Sequence, residues 1–330
     1  MTNSPKLVTI FGGSGFVGRY IARRMAKQGW RVRVAVRRPN EALFVRGFGA
    51  VGQVDPVLAN VGNEASVRAM IAGADVVVNC VGTLVESSRQ KFEALHHEAA
   101  ARIARVATEA GVSRLVHISS LSADLESESE YARTKAAGDA AVLAEFPGAV
   151  ILRPSVIFGP EDEFFNRFAL MARFTMVLPL VGAKTLFQPI YVDDVAAAAE
   201  MAMTGDAEAG VYELGGPSVH SFRDLMRGML HVVRRRRALI NIPFMFARID
   251  AWFLDMGAAA TFGMFTNKIL TRDQVRLLRH DTVVGEGART LSDLGVEATP
   301  MEAILESYLY CHRANGQYTA IKESAANLKA

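Results

Sequence analysis

Cysteine is nearly absent from this chain, Cys80 and Cys311 being the only two in 330 residues. Two thiols cannot make a disulfide framework, which excludes the cystine-stapled secreted folds and suits a reducing compartment. Net charge is small as well. A formal value of +3 does not argue for nucleic acid, so any basic surface must be local. Long uncharged apolar runs are missing: the longest, Ala238 to Ala247 and Met256 to Asn267, fall short of the roughly 18 residues that span a bilayer. The chain therefore reads as soluble or peripheral. No targeting segment precedes a first strand that begins by Lys6, which favours a bacterial source over an imported organelle protein. Repeats and low-complexity blocks are lacking too. His96-His97 has no metal-type ligands at suitable spacing and reads as structural, so no metal is expected. Cys80 reads as an inert thiol in a buried strand. What is present is a globular composition, 50% hydrophobic and 22% charged, long enough for one large or two modest domains.

The informative stretch is the beginning. Leu7-Val8-Thr9-Ile10-Phe11 reads as a buried strand, and Val17, Ile21 and Ala22 follow at helical spacing. Between them lies Gly12-Gly13-Ser14-Gly15-Phe16-Val17-Gly18, one residue wider at its first gap than the usual dinucleotide fingerprint. Glycine lets such a turn tighten, lets backbone approach a pyrophosphate, and lets helix pack closely on strand. The helix N-terminus then offers N–H groups and a positive dipole to the phosphates.

A second strand, Arg31 to Val36, ends in Arg37-Arg38-Pro39. In NAD-selective sites an acidic residue about 20 positions past the glycines holds the ribose 2′-hydroxyl. Arg37 stands there instead, and a guanidinium favours a 2′-phosphate, so the expected cofactor is NADPH (NADP) rather than NAD. Arg19 and Arg38 are candidate helpers; the competing reading of Arg37 is a solvated strand end. A third strand is expected near Val57 to Val61, with Asn60 beside the adenine. A fourth, Ala74 to Gly82, brings Val81 and Gly82 close to a ribose. A helix over Phe92 to Ala110 precedes a fifth strand, Leu115 to Ile118, that ends in Ser119-Ser120.

Tyr131 and Lys135 are four apart and share a helix face. A lysine beside a phenol lowers its pKa and lets it exchange a proton near neutrality, while Ser120 could orient a carbonyl. A surface pair is the competing reading. Val150 to Pro160 forms a sixth strand and its exit turn, with Pro154, Ser155 and Val156 at the cofactor. Gln188 to Val195 returns to the core and starts a helix capped by Asp193 or Asp194. Val211 to Pro217 is a last strand and turn. Strands alternating with helices imply an α/β fold, a Rossmann-type doubly wound parallel sheet. Residues 1–159, completed by 188–217, would form the nucleotide domain. Residues 160–187 and 218–330 would form a smaller, mostly helical one.

Together these residues resemble an extended or atypical short-chain dehydrogenase/reductase, through the glycine turn, Arg153-Pro154 to Pro160, Gln188-Pro189-Ile190 to Val195, and Tyr212-Glu213-Leu214-Gly215-Gly216-Pro217. The last third resembles one branch of it, through Leu270 to Arg279, Asp281, Val283, Leu294-Gly295-Val296 and Pro300. That branch is the nucleotide-binding accessory subunit of respiratory complex I, the alpha-subcomplex subunit nine family, and its alphaproteobacterial relatives. Tyr131 to Gly138 and Ser155 to Asp162 are also similar to it. The resemblance implies a firmly bound NADPH that is not turned over, and partners among the peripheral-arm subunits near the quinone site. It places the chain peripherally on the cytoplasmic side of a bacterial inner membrane. It implies that Gly12, Gly15, Gly18 and Arg37 hold the nucleotide and that Tyr131 and Lys135 contact its nicotinamide ribose. Because Ser120, Tyr131 and Lys135 are all present, an active NADPH-dependent reductase or epimerase stays open beside it.

Arg234-Arg235-Arg236-Arg237 precedes an apolar stretch holding Phe244, Phe246, Trp252, Phe253, Phe262 and Phe265. Clustered cations beside aromatics suit anionic lipid or an acidic partner; the alternative is a solvated helix end leading into a core. The polar tail from Arg313 to Ala330 would be disordered or ordered by a partner.

Overall fold

A computed structural model describes residues 5–86, 91–244, 271–314 and 316–318. Phe246, Trp252, Phe253, Phe262, Phe265 and most of the tail lie outside the described residues. In chain order the first half comprises β1 (Leu7–Phe11), α1 (Phe16–Lys27), β2 (Arg31–Val36), β3 (Val54–Leu58), α2 (Glu64–Ile71), β4 (Val76–Asn79), α3 (Ala99–Glu109), β5 (Arg114–Ile118) and α4 (Glu130–Glu145). The second half comprises β6 (Val150–Pro154), β7 (Ile157–Phe158), α5 (Phe165–Phe174), β8 (Val177–Val181), β9 (Leu186–Phe187), β10 (Ile190–Tyr191), α6 (Val192–Thr204), β11 (Gly210–Leu214), β12 (His220–Ser221), α7 (Phe222–Val232), β13 (Ala238–Ile242), α8 (Arg272–Leu277) and α9 (Met301–Leu309).

Seven strands form one parallel sheet in the order β3-β2-β1-β4-β5-β6-β11. Every residue of β1 is buried, as expected of a central strand covered by helices on both faces. One apolar cluster joins α1, α6 and one face of the sheet through Ile10, Ile21, Met25 and Val195. Another joins α2, α3 and the opposite face through Phe11, Val67, Ile103 and Ile151. The strand order reverses between β1 and β4, which opens a crevice outside their carboxyl ends. A third cluster, built on Phe158, Phe165, Leu178, Met226, Met229 and Leu305, packs α5, α7 and α9 together. Two residues past α7, Arg234 has φ 54, the left-handed turn that usually falls to glycine.

Four expectations need correction. The third strand runs Val54–Leu58, not Val57 to Val61, and carries Pro56. Proline is tolerated there because, among the described residues, β3 is an edge strand paired only with β2. Cys80 lies just past β4 and is half-buried. The region from Phe92 begins as a π-helical segment, Glu93–Glu98, before α3. Neither Asp193 nor Asp194 caps α6. Asp193 accepts from both the Nε and an Nη of Arg24, at 3.0 and 2.7 Å, and Asp194 accepts from the amide and hydroxyl of Thr299, at 2.7 and 2.8 Å.

Candidate functional site

The glycine turn joins β1 to α1 at the mouth of the crevice. Gly12 has φ +76, and a Cβ there would stand 3.0 Å from the Cys80 carbonyl. A Cβ on Gly18 would stand 2.5 Å from the Gly12 carbonyl and 2.7 Å from the Gly13 Cα, so the first turn of α1 can lie on the loop only without a side chain. Gly15 donates to the Gly12 carbonyl at 2.9 Å and is the N-cap of α1, which has no side-chain cap and no acidic residue in its first turn. Ser14, Phe16 and Val17 complete the loop. A cradle that a Cβ would fill, closed by an uncapped helix start, fits a pyrophosphate.

The three arginines differ in what they hold. Arg19 donates to the Ser14 and Gly15 carbonyls, each at 3.2 Å, and pairs with Glu161 at 3.4 Å, so it braces the loop from outside. Arg38 pairs with Glu41 at 2.9 Å. Arg37 is exposed immediately past β2, on the crevice side of the sheet. Asn60, past β3, is exposed, and its side-chain oxygen accepts from Gly62 N at 3.0 Å.

At the other end, β5 delivers Ser119 and Ser120, and α4 delivers Tyr131 and Lys135. Both helix residues are buried, at 8% and 5% exposure. The Lys135 ammonium donates to the Ile118 carbonyl at 3.1 Å and lies beside Gly82, where a Cβ would stand 3.4 Å from Nζ. The Tyr131 phenol is pushed up to about 12, chiefly by burial, against a lowering hydrogen bond from Ser120. That departs from the expectation of a phenol drawn down by its lysine. Lys135 itself is pushed down by burial, with Asp139 opposing the shift, so its own charge is disfavoured where it sits. Ser155 gives its hydroxyl to the Thr282 carbonyl at 2.9 Å. The Pro154 carbonyl accepts from Leu121 N at 2.9 Å. Val156 passes half-buried beside them.

Several supporting groups were not among the expected site residues. The Asp273 carboxylate of α8 accepts from Ser129 Oγ at 2.7 Å, Glu130 N at 2.8 Å and Tyr131 N at 3.1 Å, clamping the start of α4 under Tyr131. It belongs to the Leu270 to Arg279 stretch that carries the family resemblance. His96, on the π-helical segment, stacks on Phe92 with centroids 5.2 Å apart and meets Tyr131 edge-on at 5.3 Å. Its Nε2 accepts from Thr83 N at 3.2 Å, and burial, then the charge of Lys135, holds it down at about 3. Gly138 lets α4 touch the His96 carbonyl directly. Deeper still, Asp139 pairs with Arg153 at 2.8 Å and lies 3.6 Å from His117.

A strand, an uncapped glycine turn and a helix at a sheet reversal, with a buried Tyr–Lys pair across the crevice, define a dinucleotide-binding fold of the extended short-chain dehydrogenase/reductase type. The chain belongs to the NAD dependent epimerase/dehydratase family, whose sequence pattern matches residues 8–215, and within it to the kin of complex I alpha subcomplex subunit 9. It is 34% identical over 94% of its length to "NADH dehydrogenase [ubiquinone] 1 alpha subcomplex subunit 9, mitochondrial" of Arabidopsis thaliana, covering 79% of that protein. It is also 33% identical over 80% of its length to a ceramide reductase of Caulobacter vibrioides, covering 83% of it. Among solved structures, the Bordetella bronchiseptica enzyme WbmG in complex with NAD and UDP superposes with a TM-score of 0.69 at 14% identity, over 94% of this chain and 95% of that one; this likeness speaks to fold alone.

Proposed function

We propose that the chain is an NADPH-binding accessory subunit of respiratory complex I. It would be docked on the peripheral arm near the quinone site, at the cytoplasmic face of a bacterial inner membrane. Its nucleotide would stabilise the subunit rather than turn over. One observation carries the reading: the chain is 30 to 34% identical over 93 to 94% of its length to subunit 9 and 40 kDa subunit proteins of NADH:ubiquinone oxidoreductase. Tyr131, buried with its phenol pushed upward, and Lys135, bonded to the Ile118 carbonyl, are placed to serve as hydrogen-bonding ligands of the nucleotide. Among the described residues no helix is long and apolar enough to cross a membrane, in keeping with peripheral attachment.

In this reading Gly12 to Gly18 and the start of α1 hold the pyrophosphate. Arg37 faces the 2′-phosphate, Asn60 lies toward the adenine, and Val81 and Gly82 line the ribose path. Tyr131 and Lys135 hold the nicotinamide ribose, and Ser119 and Pro154 to Val156 line the nicotinamide end. Residues 1–159 with 188–217 form the nucleotide domain, and 160–187 with 218–330 the smaller domain turned to partner subunits. A ligand that binds only the folded chain adds about 2.7 kcal/mol at a hundred times its Kd, which gives a non-reacting nucleotide a structural use. The test is to denature the natively purified protein and identify what it releases. Near-stoichiometric NADPH, with the chain co-purifying with membrane-bound NADH:ubiquinone oxidoreductase, is the expected result. No nucleotide, or NAD alone, overturns it.

A second reading has its own support. Ser120, Tyr131 and Lys135 converge, and a relative 33% identical is a ceramide reductase. Bound NADPH would supply the hydride, Tyr131 the proton and Ser120 the carbonyl anchor. Rapid oxidation of the purified protein's NADPH by a carbonyl substrate, abolished by Tyr131→Phe, would establish this reading over the first.

A further inference from the structure

Away from the crevice, one corner of the molecule gathers apolar and cationic side chains together. Phe174, the last residue of α5, and Met176 just after it are 78% and 72% exposed. β8 then pairs in parallel with β13, placing Ala238 beside Val177 and Ile240 beside Pro179. Strand alternation sends Leu178 and Leu180 into the core and leaves those four apolar residues on an exposed outer face. Leu170, a turn back on α5, is exposed as well. Single apolar side chains on a surface need no explanation, but a contiguous patch does.

Cations border this patch on the same backbone. The Arg173 guanidinium lies 5.7 Å from the Phe174 ring centroid. Arg237 donates from Nε to the Ala172 carbonyl at 2.8 Å and from Nη1 to the Arg236 carbonyl at 3.0 Å. Arg235 donates to the His312 carbonyl at 3.0 Å. Ala238 N reaches the Met176 carbonyl at 3.1 Å, tying the arginine segment to the apolar tip. Burial, and then the positive charges of Arg237 and Arg173, push the Arg235 guanidinium downward, so these cations feel one another. Among the described residues, none of the ion pairs gives Arg173, Arg235, Arg236 or Arg237 a carboxylate.

We propose that this corner docks on an anionic lipid membrane. Phe174, Met176 and the outer face of β8 and β13 would enter the boundary between headgroups and acyl chains, while Arg173, Arg235, Arg236 and Arg237 meet lipid phosphates. Guanidinium forks match phosphate oxygens, and apolar tips flanked by cations are how a protein lies on such a surface without crossing it. An acidic protein would satisfy the arginines but would leave the Phe174–Met176 tip without an apolar bed. The inference rests on this corner alone and does not depend on whether the nucleotide turns over.

Co-flotation of the full chain with phosphatidylcholine vesicles, with or without one-third phosphatidylglycerol, tests it. The wild-type chain should float with the anionic vesicles and not with the neutral ones. Arg173→Gln with Arg236→Gln removes two exposed charges and should lower the anionic partition coefficient about thirtyfold. Phe174→Ser with Met176→Ser should lower it severalfold and leave its salt sensitivity intact. All four positions are exposed, so circular dichroism should show both variants folded. Equal flotation with both vesicle types, flotation with neither, or variants that float like wild type would overturn the proposal. So would capture by immobilised polyglutamate with no vesicle binding.

Discussion

The two ends of the crevice are built on opposite plans. The glycine end has hardly any side chains. Its shape lies in backbone that can approach only because Gly12, Gly15 and Gly18 carry no Cβ: Gly15 and Gly18 close on the loop itself, and Gly12 lies against the Cys80 carbonyl. The end that holds Tyr131 and Lys135 is the reverse. Tyr131, Lys135, His96, His117, Asp139 and Ser119 are all polar and all buried, and they are held from elements far apart in sequence. Among the described residues His117 Nε2 has no hydrogen-bond partner, and Asp139 Oδ1 lies 3.6 Å from it. A steric cradle fails when atoms are added to it, whereas a buried polar cluster fails when a partner is removed from it and responds to pH.

The largest effect should come from filling the cradle. Gly18→Val places atoms where even a Cβ would lie 2.5 Å from the Gly12 carbonyl, and a backbone atom cannot give way as a flexible side chain can. We expect a loss on the order of 3 kcal/mol in stability and no measurable dinucleotide binding, read by urea unfolding and by fluorescence titration with NADPH. Wild-type binding in the valine variant would remove the glycine turn from the site altogether.

The polar end should show itself in acid. His96 is held down at about 3 in the folded chain, against about 6.5 when unfolded. Between those values the unfolded chain binds the extra proton. The contribution of neutral His96 is therefore complete above about pH 6.5 and falls by about 1.4 kcal/mol per pH unit below it. His117, also lowered well below its ordinary value by burial, then by Lys135 and His96, adds to the same slope. Replacing His96→Gln keeps a polar group near Thr83 and Thr134 while removing one titration. Urea midpoints measured from about pH 7 to 4 should then fall less steeply than in wild type, and an unchanged slope would separate His96 from acid sensitivity.

The same contrast explains what could be read from sequence. The glycine turn and the Tyr131–Lys135 pair are local patterns, set by a strand-to-helix turn and by the helical repeat, and both stand where their spacing put them. The clamp of Asp273 on Ser129 and Tyr131 joins residues more than a hundred positions apart, and Asp194 meets Thr299 across a similar gap. No periodicity carries such a contact, so Asp193 and Asp194 looked like caps when their real partners were distant. β3 slipped because Pro56 reads as a breaker unless the strand is known to be an edge. The π-helical segment meets Gly138 of α4 through the His96 carbonyl, a tertiary contact that a helical pattern over Phe92 to Ala110 does not foretell. The phenol was expected to be drawn down by Lys135 because spacing shows proximity but not burial.

A subtler distinction between the ends is their choice of nucleotide. Arg37 stands past β2 where NAD-selective sites carry an acid. Arg37→Asp should weaken NADPH by roughly tenfold or more, the cost of one charge-assisted contact turned repulsive, and leave NADH nearly unchanged. Arg19→Gln is the control, because its guanidinium is engaged with the loop carbonyls and Glu161, and it should weaken both nucleotides together. Equal losses for the two nucleotides in Arg37→Asp would sink the assignment of the 2′-phosphate to this side chain.

The smallest expected effect decides the most. Tyr131→Phe keeps the ring against Phe92 and His96, at centroid distances of 5.8 and 5.3 Å, and removes only a hydroxyl that bonds to Ser120. If the phenol is a ligand, its loss costs about 1 kcal/mol, so nucleotide retention should drop no more than severalfold. Ubiquinone reductase activity of the assembled complex should stay near wild type. If the phenol is a proton donor, binding would likewise change little while turnover of a carbonyl substrate fell by roughly a hundredfold or more. Retention alone cannot part the two readings. Turnover of a carbonyl substrate by the same variant can, because a ligand and an acid differ only in what happens after the nucleotide is already bound.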